Sequence, residues 1–315
     1  MPSFDTVNYS IRTNKAIQRS IIFDSLGVAS KYLPLNEHVY IGFGSIWFTD
    51  FIIAHKQLGI QNMLSIESNP IGVSRARFNS PFRTIRVEEG HSSVVLPKIL
   101  NENWYPGRPW IAWLDYDYGP DDTVRDDIDF IASRAPANSI LLLTVNVGPK
   151  YLGNSPRQRE DNLRRTFGTS VAHDAGRAQF DQESYIKTTS RTLTNYAQAS
   201  VVAAGRPLTF VPCFDVAYRD GTPMLTVGGA IANQVVQQHL ATLSQHRTWP
   251  GRAPNLIEVP PLSIKEASAM QSLLPLGAAI PRRDIQSLGF DLDDKQIAAF
   301  CDHYTRYPSF MQVIS

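Results

Sequence analysis

The chain has 315 residues, 43% hydrophobic and 19% charged, which is long enough to bury a large core and too apolar for intrinsic disorder. Thirty basic residues against 29 acidic ones leave a net charge of +1, so there is no general attraction for nucleic acid or an anionic membrane. Cys213 and Cys301 stand far apart in no zinc or redox spacing, which excludes a disulfide scaffold and reads as two reduced thiols.

In chain order, MPSFDTVNYS is polar where a secretion signal needs an apolar stretch, and no run reaches membrane-spanning length. A soluble, cytoplasmic protein is therefore expected. NYSIRTNKAIQR sets Arg12, Asn14 and Lys15 around a helix start, with Lys15 and Arg19 one turn apart on one face. The helix runs over 15–33 with Ile17, Ile21, Ile22, Leu26 and Ala29 on its apolar face. HVYIGFG is the first strand, followed by a helix predicted from Ser45 to Leu58 and closed by Gly59. MLSIE and TIRVEEG are the second and third strands, WIAWLDYD (110–117) the fourth and SILLLTVN (139–146) the fifth.

Apolar strands separated by helical connections argue for a parallel sheet covered on both faces. In such sheets ligands bind beyond the carboxyl ends of the strands, where strand order reverses. Gly42–Ser45, Glu67, Gly90–Ser92, Asp115–Asp117 and Thr144–Asn146 all fall at these ends. In YIGFGSIWFTDF the glycines at 42 and 44 suit either a structural bend or a ligand turn, and the helix behind them favours negative or polar groups. Glu67 ends the next strand, near the offset of about 20 residues at which an acid meets ribose hydroxyls. WLDYDYGPDD then clusters carboxylates at a strand end, as needed for a general base or an oxygen-ligated cation. Asp121 and Asp122 read instead as caps of the helix that follows.

The order GxG, acidic strand end, EGHSSVVLP, WLDYD and LLLTVN resembles class I S-adenosylmethionine-dependent methyltransferases, most closely an uncharacterised group of O-methyltransferases. The resemblance covers about 38–230. It implies an α/β fold with a Rossmann-like seven-stranded sheet, the last strand antiparallel, and helices on both faces. It also implies S-adenosylmethionine as cofactor, with Gly42, Phe43, Gly44 and Ser45 at its methionyl part, Glu67 at the ribose, Gly90, His91 and Ser92 at the adenine, and Asp115 as a further cofactor-binding residue. Asp115, Asp117 and Asn146 become the catalytic candidates, and Tyr9, Arg12, Asn14 and Lys15 the acceptor-side ones. Three positions depart from the pattern: Tyr40 stands in place of an acid before the turn, Ile46 in place of a third glycine, and His91 where an aspartate often meets the adenine amine. Val145 replaces an aspartate next to Asn146, so a divalent metal is not expected.

TFVPCFDVAYRDGTPMLTVGG reads as a hairpin turning at Asp220-Gly221, which suits a methyltransferase sheet better than an NAD-binding one. Residues 149–190 form a polar insertion whose Arg157, Arg159, Arg164 and Arg165 read as a solvated face or a lid toward an acidic acceptor. After 230 the chain turns helical, with a capping box at Ser263 and Glu266 and a tail whose Tyr304, Tyr307 and Phe310 pack it down. The expected division is an N-terminal helical cap (1–37), the methyltransferase domain (38–230) and a helical extension (231–315) that could serve a homodimer. A methyltransferase acting on a hydroxyl or carboxylate of a small molecule or protein is the first reading. A cofactor-binding sensor without turnover is the alternative, and an NAD-binding Rossmann enzyme ranks third.

Overall fold

A computed structural model describes residues 12–172, 176–181, 184–253 and 255–308. Tyr9 and Phe310, both singled out above, lie outside them. Seven strands form: β1 (Val39–Gly42), β2 (Asn62–Glu67), β3 (Ile85–Glu89), β4 (Trp110–Asp115), β5 (Ser139–Asn146), β6 (Thr209–Asp220) and β7 (Thr222–Ala232). They make one sheet in the order β3-β2-β1-β4-β5-β7-β6, parallel except for β7, which pairs antiparallel with both β5 and β6. Because β7 slots between β5 and β6, the sheet has no sixth strand parallel-paired to β5, and the NAD-binding reading loses its topology.

Twelve helices are described: α1 (Thr13–Ala29), α2 (Thr49–Leu58), α3 (Pro70–Asn79), α4 (Ser92–Asn101), α5 (Asp122–Arg134), α6 (Pro149–Leu152), α7 (Pro156–Phe167), α8 (Tyr185–Ala203), α9 (Gln234–Gln245), α10 (Ile264–Ser272), α11 (Arg282–Ser287) and α12 (Asp294–His303). Alternation along each strand divides its side chains between two cores. Val39 and Ile41 of β1 face the core built with α4, α5 and α8, while Tyr40 faces the core built with α1, α2, α3 and α9. A third, smaller cluster holds α10, α11 and α12 together, and Tyr307 packs against both it and the sheet.

Local signals act as read. Gly59 closes α2 in the left-handed conformation, Asp121 caps α5 through Thr123 N and Val124 N, and Ser263 and Glu266 form their capping box. The outer edge of β6 is covered: Asp215 N donates to Gly251 O at 2.9 Å and Ile257 N to Ala217 O at 2.8 Å, so the segment after α9 shields an otherwise open edge. In the insertion, Arg159 is buried and donates to Gly153 O (3.1 Å) and Phe180 O (2.8 Å) with its guanidinium over Tyr185, so it ties the segment together. Arg164 pairs with Glu160 along α7.

The N-terminus of α1 has no cap of its own and receives one from the hairpin tip. Asp220 accepts from Lys15 N at 2.8 Å and from Asn14 N at 3.2 Å. Asn14 Nδ2 donates to Arg219 O (2.8 Å) and Asp220 Oδ1 (3.0 Å), and its Oδ1 accepts from Val259 N (2.9 Å). The Asn14 side chain, expected on the acceptor side, is thus spent on joining α1, the hairpin and the C-terminal segment. Asn14→Ala strands several buried partners at once, and an expected loss of about 2 kcal/mol or more would show in urea unfolding as a lower midpoint with unchanged slope.

Candidate active site

Strand order reverses between β1 and β4, and a cavity of about 610 Å³ opens there at the carboxyl ends of the strands. Phe43, Gly44 and Ser45 line it after β1, Glu67 after β2, and Gly90, His91 and Ser92 after β3. Asp115 and Asp117 line it after β4, Asn146 after β5, and Arg12 and Lys15 enter from α1. Gly42, the last residue of β1, and Asn14 are not among the lining residues.

The turn after β1 is tighter than the apolar period suggested. Ser45 (φ 51°) and Phe48 (φ 49°) are left-handed, Phe48 N donates to Gly44 O at 2.9 Å, and α2 begins at Thr49 instead of Ser45. Hydrophobic spacing carries no mark of a positive φ, so it predicts the helix start four residues before the observed one. Gly44 is required by close approach: it donates to Ser65 Oγ at 3.2 Å, and a Cβ there would lie 2.6 Å from that oxygen and 2.8 Å from Phe48. Ser45 Oγ is buried with no hydrogen-bond partner among the described residues.

Glu67 accepts from Asn69 N through Oε1 at 2.8 Å, and Asn69 in turn caps α3, so the carboxylate is anchored through that oxygen at the cavity edge. Gly90 holds φ +140°, a conformation open to glycine, as the chain swings from β3 into α4. His91 is the N-cap of α4 but makes no side-chain cap, and it lines the cavity together with Ser92, the first residue of that helix. Beneath them Asp127 of α5 is fully buried and accepts on Oδ2 from Ser92 Oγ and, at 2.6 Å, from Tyr116 Oη. Burial pushes the Asp127 pKa up against the pull of those two donors, and Oδ1 has no partner among the described residues.

Two ion pairs floor the cavity on the α1 side: Lys15 Nζ to Asp115 Oδ2 at 2.5 Å and Arg19 Nε to Asp50 Oδ1 at 3.3 Å. All four residues are largely buried, as buried charges require partners. Burial, then the Asp50 carboxylate, drives the Tyr40 pKa far up; burial and Asp115 do the same for Tyr218, and burial and Asp127 for Tyr116. These phenols stay protonated at neutral pH, and Tyr116 Oη donates its hydrogen to Asp127. Asn146 accepts on Oδ1 from Gly148 N (2.9 Å) and Thr222 Oγ1 (3.0 Å), which leaves its NH₂ as the group to offer the cavity. Among the described residues no cluster of three or more His, Cys, Asp or Glu is arranged to hold a metal, and no helix is long and apolar enough to cross a membrane.

Arg19, Asp50, Tyr116 and Tyr218 also line the cavity and were not singled out as site residues. Arg19 shares the α1 face of Lys15, a signal already in the sequence; Asp50 and Tyr218 reach the site only through the packing of α2 and the hairpin.

A parallel sheet reversed at β1/β4, with an antiparallel β7 between β5 and β6 and a cleft over the reversal, defines a Rossmann-like methyltransferase fold. A family model described as "Putative O-methyltransferase" matches residues 7–315, and the chain belongs to that family. No curated protein matches the sequence. Among solved structures it is similar to Trm1 from Pyrococcus horikoshii with S-adenosyl-L-methionine, at 13% identity over 71% of this chain and 57% of that one, TM-score 0.45. The O-methyltransferase from Bacillus cereus in complex with SAH is 10% identical over 72% of this chain and 94% of its own, TM-score 0.38.

The buried Lys15–Asp115 pair makes a measurable demand. Lys15→Met and Asp115→Asn each remove one member of this buried pair, so a double-mutant cycle in chemical unfolding is expected to return a coupling of about 1–3 kcal/mol. Additive effects would mean the two groups do not interact.

Proposed function

We propose that the protein is an S-adenosylmethionine-dependent methyltransferase that methylates an oxygen of a hydroxyl or carboxylate acceptor. The observation that carries this reading is the convergence of Gly44, Ser45, Glu67, Gly90–Ser92 and Asp115 on one cavity over the strand-order reversal. The residues suit the cofactor: the Gly44 turn has no room for a Cβ, Ser45 Oγ is an orphaned buried polar atom, and Glu67 keeps an oxygen for ribose hydroxyls. S-adenosylmethionine supplies an electrophilic methyl on a sulfonium.

The acceptor end lies between α1 and the hairpin, where Lys15, Tyr218, Asn146 and Met224 line the cavity. Catalysis there rests mainly on alignment, since holding a nucleophile in line removes much of the entropic barrier. Asp115, held by Lys15, would take the proton of a hydroxyl acceptor as its oxygen bonds to the methyl carbon and the sulfonium C–S bond breaks, a carboxylate acceptor needing no such base, and the Asn146 amide would donate a hydrogen bond that orients the acceptor. Asp117 is exposed at the rim, where it can meet acceptor groups from solvent.

Isothermal titration tests the cofactor site. S-adenosylmethionine and S-adenosylhomocysteine are expected to bind at micromolar Kd, and Glu67→Gln, which keeps an acceptor for Asn69 N but loses the charge, to weaken both about tenfold. No heat and no thermal shift with either ligand would sink the methyltransferase reading.

A further inference from the structure

Tyr218 carries a hydrogen that the fold leaves unspent. Tyr218 of β6 stands opposite Met224 of β7, and Met224 opposite Asn146 of β5, so the three project from one cross-strand row. Thr144, two residues before Asn146 and on the same face, pairs with Asp115 of β4, which brings Asp115 to that face as well. Tyr218 and Met224 belong to the core under α1, and Lys15 of α1 meets Asp115 on the same side. Of three deeply buried phenols, Tyr116 gives its hydrogen to Asp127 and Tyr40 Oη is sealed off from open space. Tyr218 Oη differs from both: it hydrogen-bonds to no described residue and is not sealed, and the open space along Tyr218 is the cavity. The residue is only 1% exposed, so a donor left without a protein partner there is answered by whatever fills the cavity. Burial, and then Asp115 as the first charge it feels, keeps the phenol protonated.

We propose that Tyr218 is a specificity-determining residue for the transfer: it gives its phenolic hydrogen to the accepting atom, which admits an oxygen and silences a nitrogen. The inference rests on the methyltransferase reading and deepens it by assigning the choice of element to one side chain. A hydroxyl oxygen has two lone pairs. One receives the Tyr218 hydrogen while the hydroxyl's own hydrogen goes to Asp115, which leaves the second lone pair for the methyl carbon. That pair forms the O–C bond as the sulfonium C–S bond breaks, the electrons of the broken bond passing to sulfur and the proton to Asp115. An uncharged amine has a single lone pair. Once Tyr218 donates into it, nothing remains to attack.

The test sets phenol against aniline, which match in shape and are both uncharged at neutral pH, with S-adenosylmethionine tritiated on the methyl group. Wild-type protein is expected to methylate phenol about tenfold faster than aniline or more, the scale of one hydrogen bond well or badly placed. Tyr218→Phe keeps the ring and should bring the two rates within about threefold, by slowing phenol and releasing aniline. Because Oη serves no partner in the fold, the variant should also unfold at the wild-type urea midpoint, which a structural role for the hydroxyl would lower. Comparable rates on both probes in wild-type protein overturn the inference, as does an unchanged ratio or a lowered midpoint in the variant. If neither probe is methylated, phenol binding to the S-adenosylhomocysteine complex decides: affinity about fivefold weaker in Tyr218→Phe upholds the inference, and equal or absent binding overturns it. Failure of wild-type protein to bind S-adenosylhomocysteine overturns it together with the methyltransferase reading.

Discussion

The clasp between Asp220 and the first turn of α1 governs the rest of the site. A helix that begins without its own cap leaves amides that must find acceptors, and here the acceptor sits at the tip of a hairpin more than two hundred residues away. Once Asp220 and Asn14 have pinned α1, the helix phase carries Lys15 and Arg19 down onto Asp115 and Asp50. The α1-side wall of the cavity is thus built by elements far apart in the chain, and the hairpin that completes the sheet also positions the helix above it.

The cavity holds charges that water cannot solvate fully, and each is answered by a named partner. Lys15 with Asp115 and Arg19 with Asp50 neutralise one another on the α1 side, while Asp127, buried behind the lining residues Ser92 and Tyr116, accepts from their two neutral hydroxyls. The difference has a consequence for chemistry. Paired charges can reorganise around a charged ligand group, whereas a buried carboxylate fed by hydroxyls imposes a fixed direction on them.

Much of the architecture was legible from local pattern. Apolar runs marked β1 to β5 because strands buried on both faces need no polar alternation, Asp220-Gly221 marked the hairpin, and Gly59, Asp121 and Ser263 marked helix ends. The start of α2 was misplaced because Ser45 and Phe48 adopt a left-handed turn despite having side chains, and tertiary packing around Gly44 holds it there. Cavity-lining residues were legible for one reason: Gly44, Glu67, Gly90 and Asp115 each sit at or just after a strand end, and in a parallel sheet all carboxyl ends face the same side.

The sequence by itself determined the sheet, the side on which the cleft opens and most of the residues around it, since these follow from periodicity, turn chemistry and parallel connection. Only the tertiary structure decided that Asn14 serves the scaffold, that Asp50 and Tyr218 belong to the cavity, and that Asp127 is buried against the Ser92 and Tyr116 hydroxyls. Those assignments depend on side-chain direction and on contacts between distant segments, which are fixed when helices dock and buried polar groups must each find a partner.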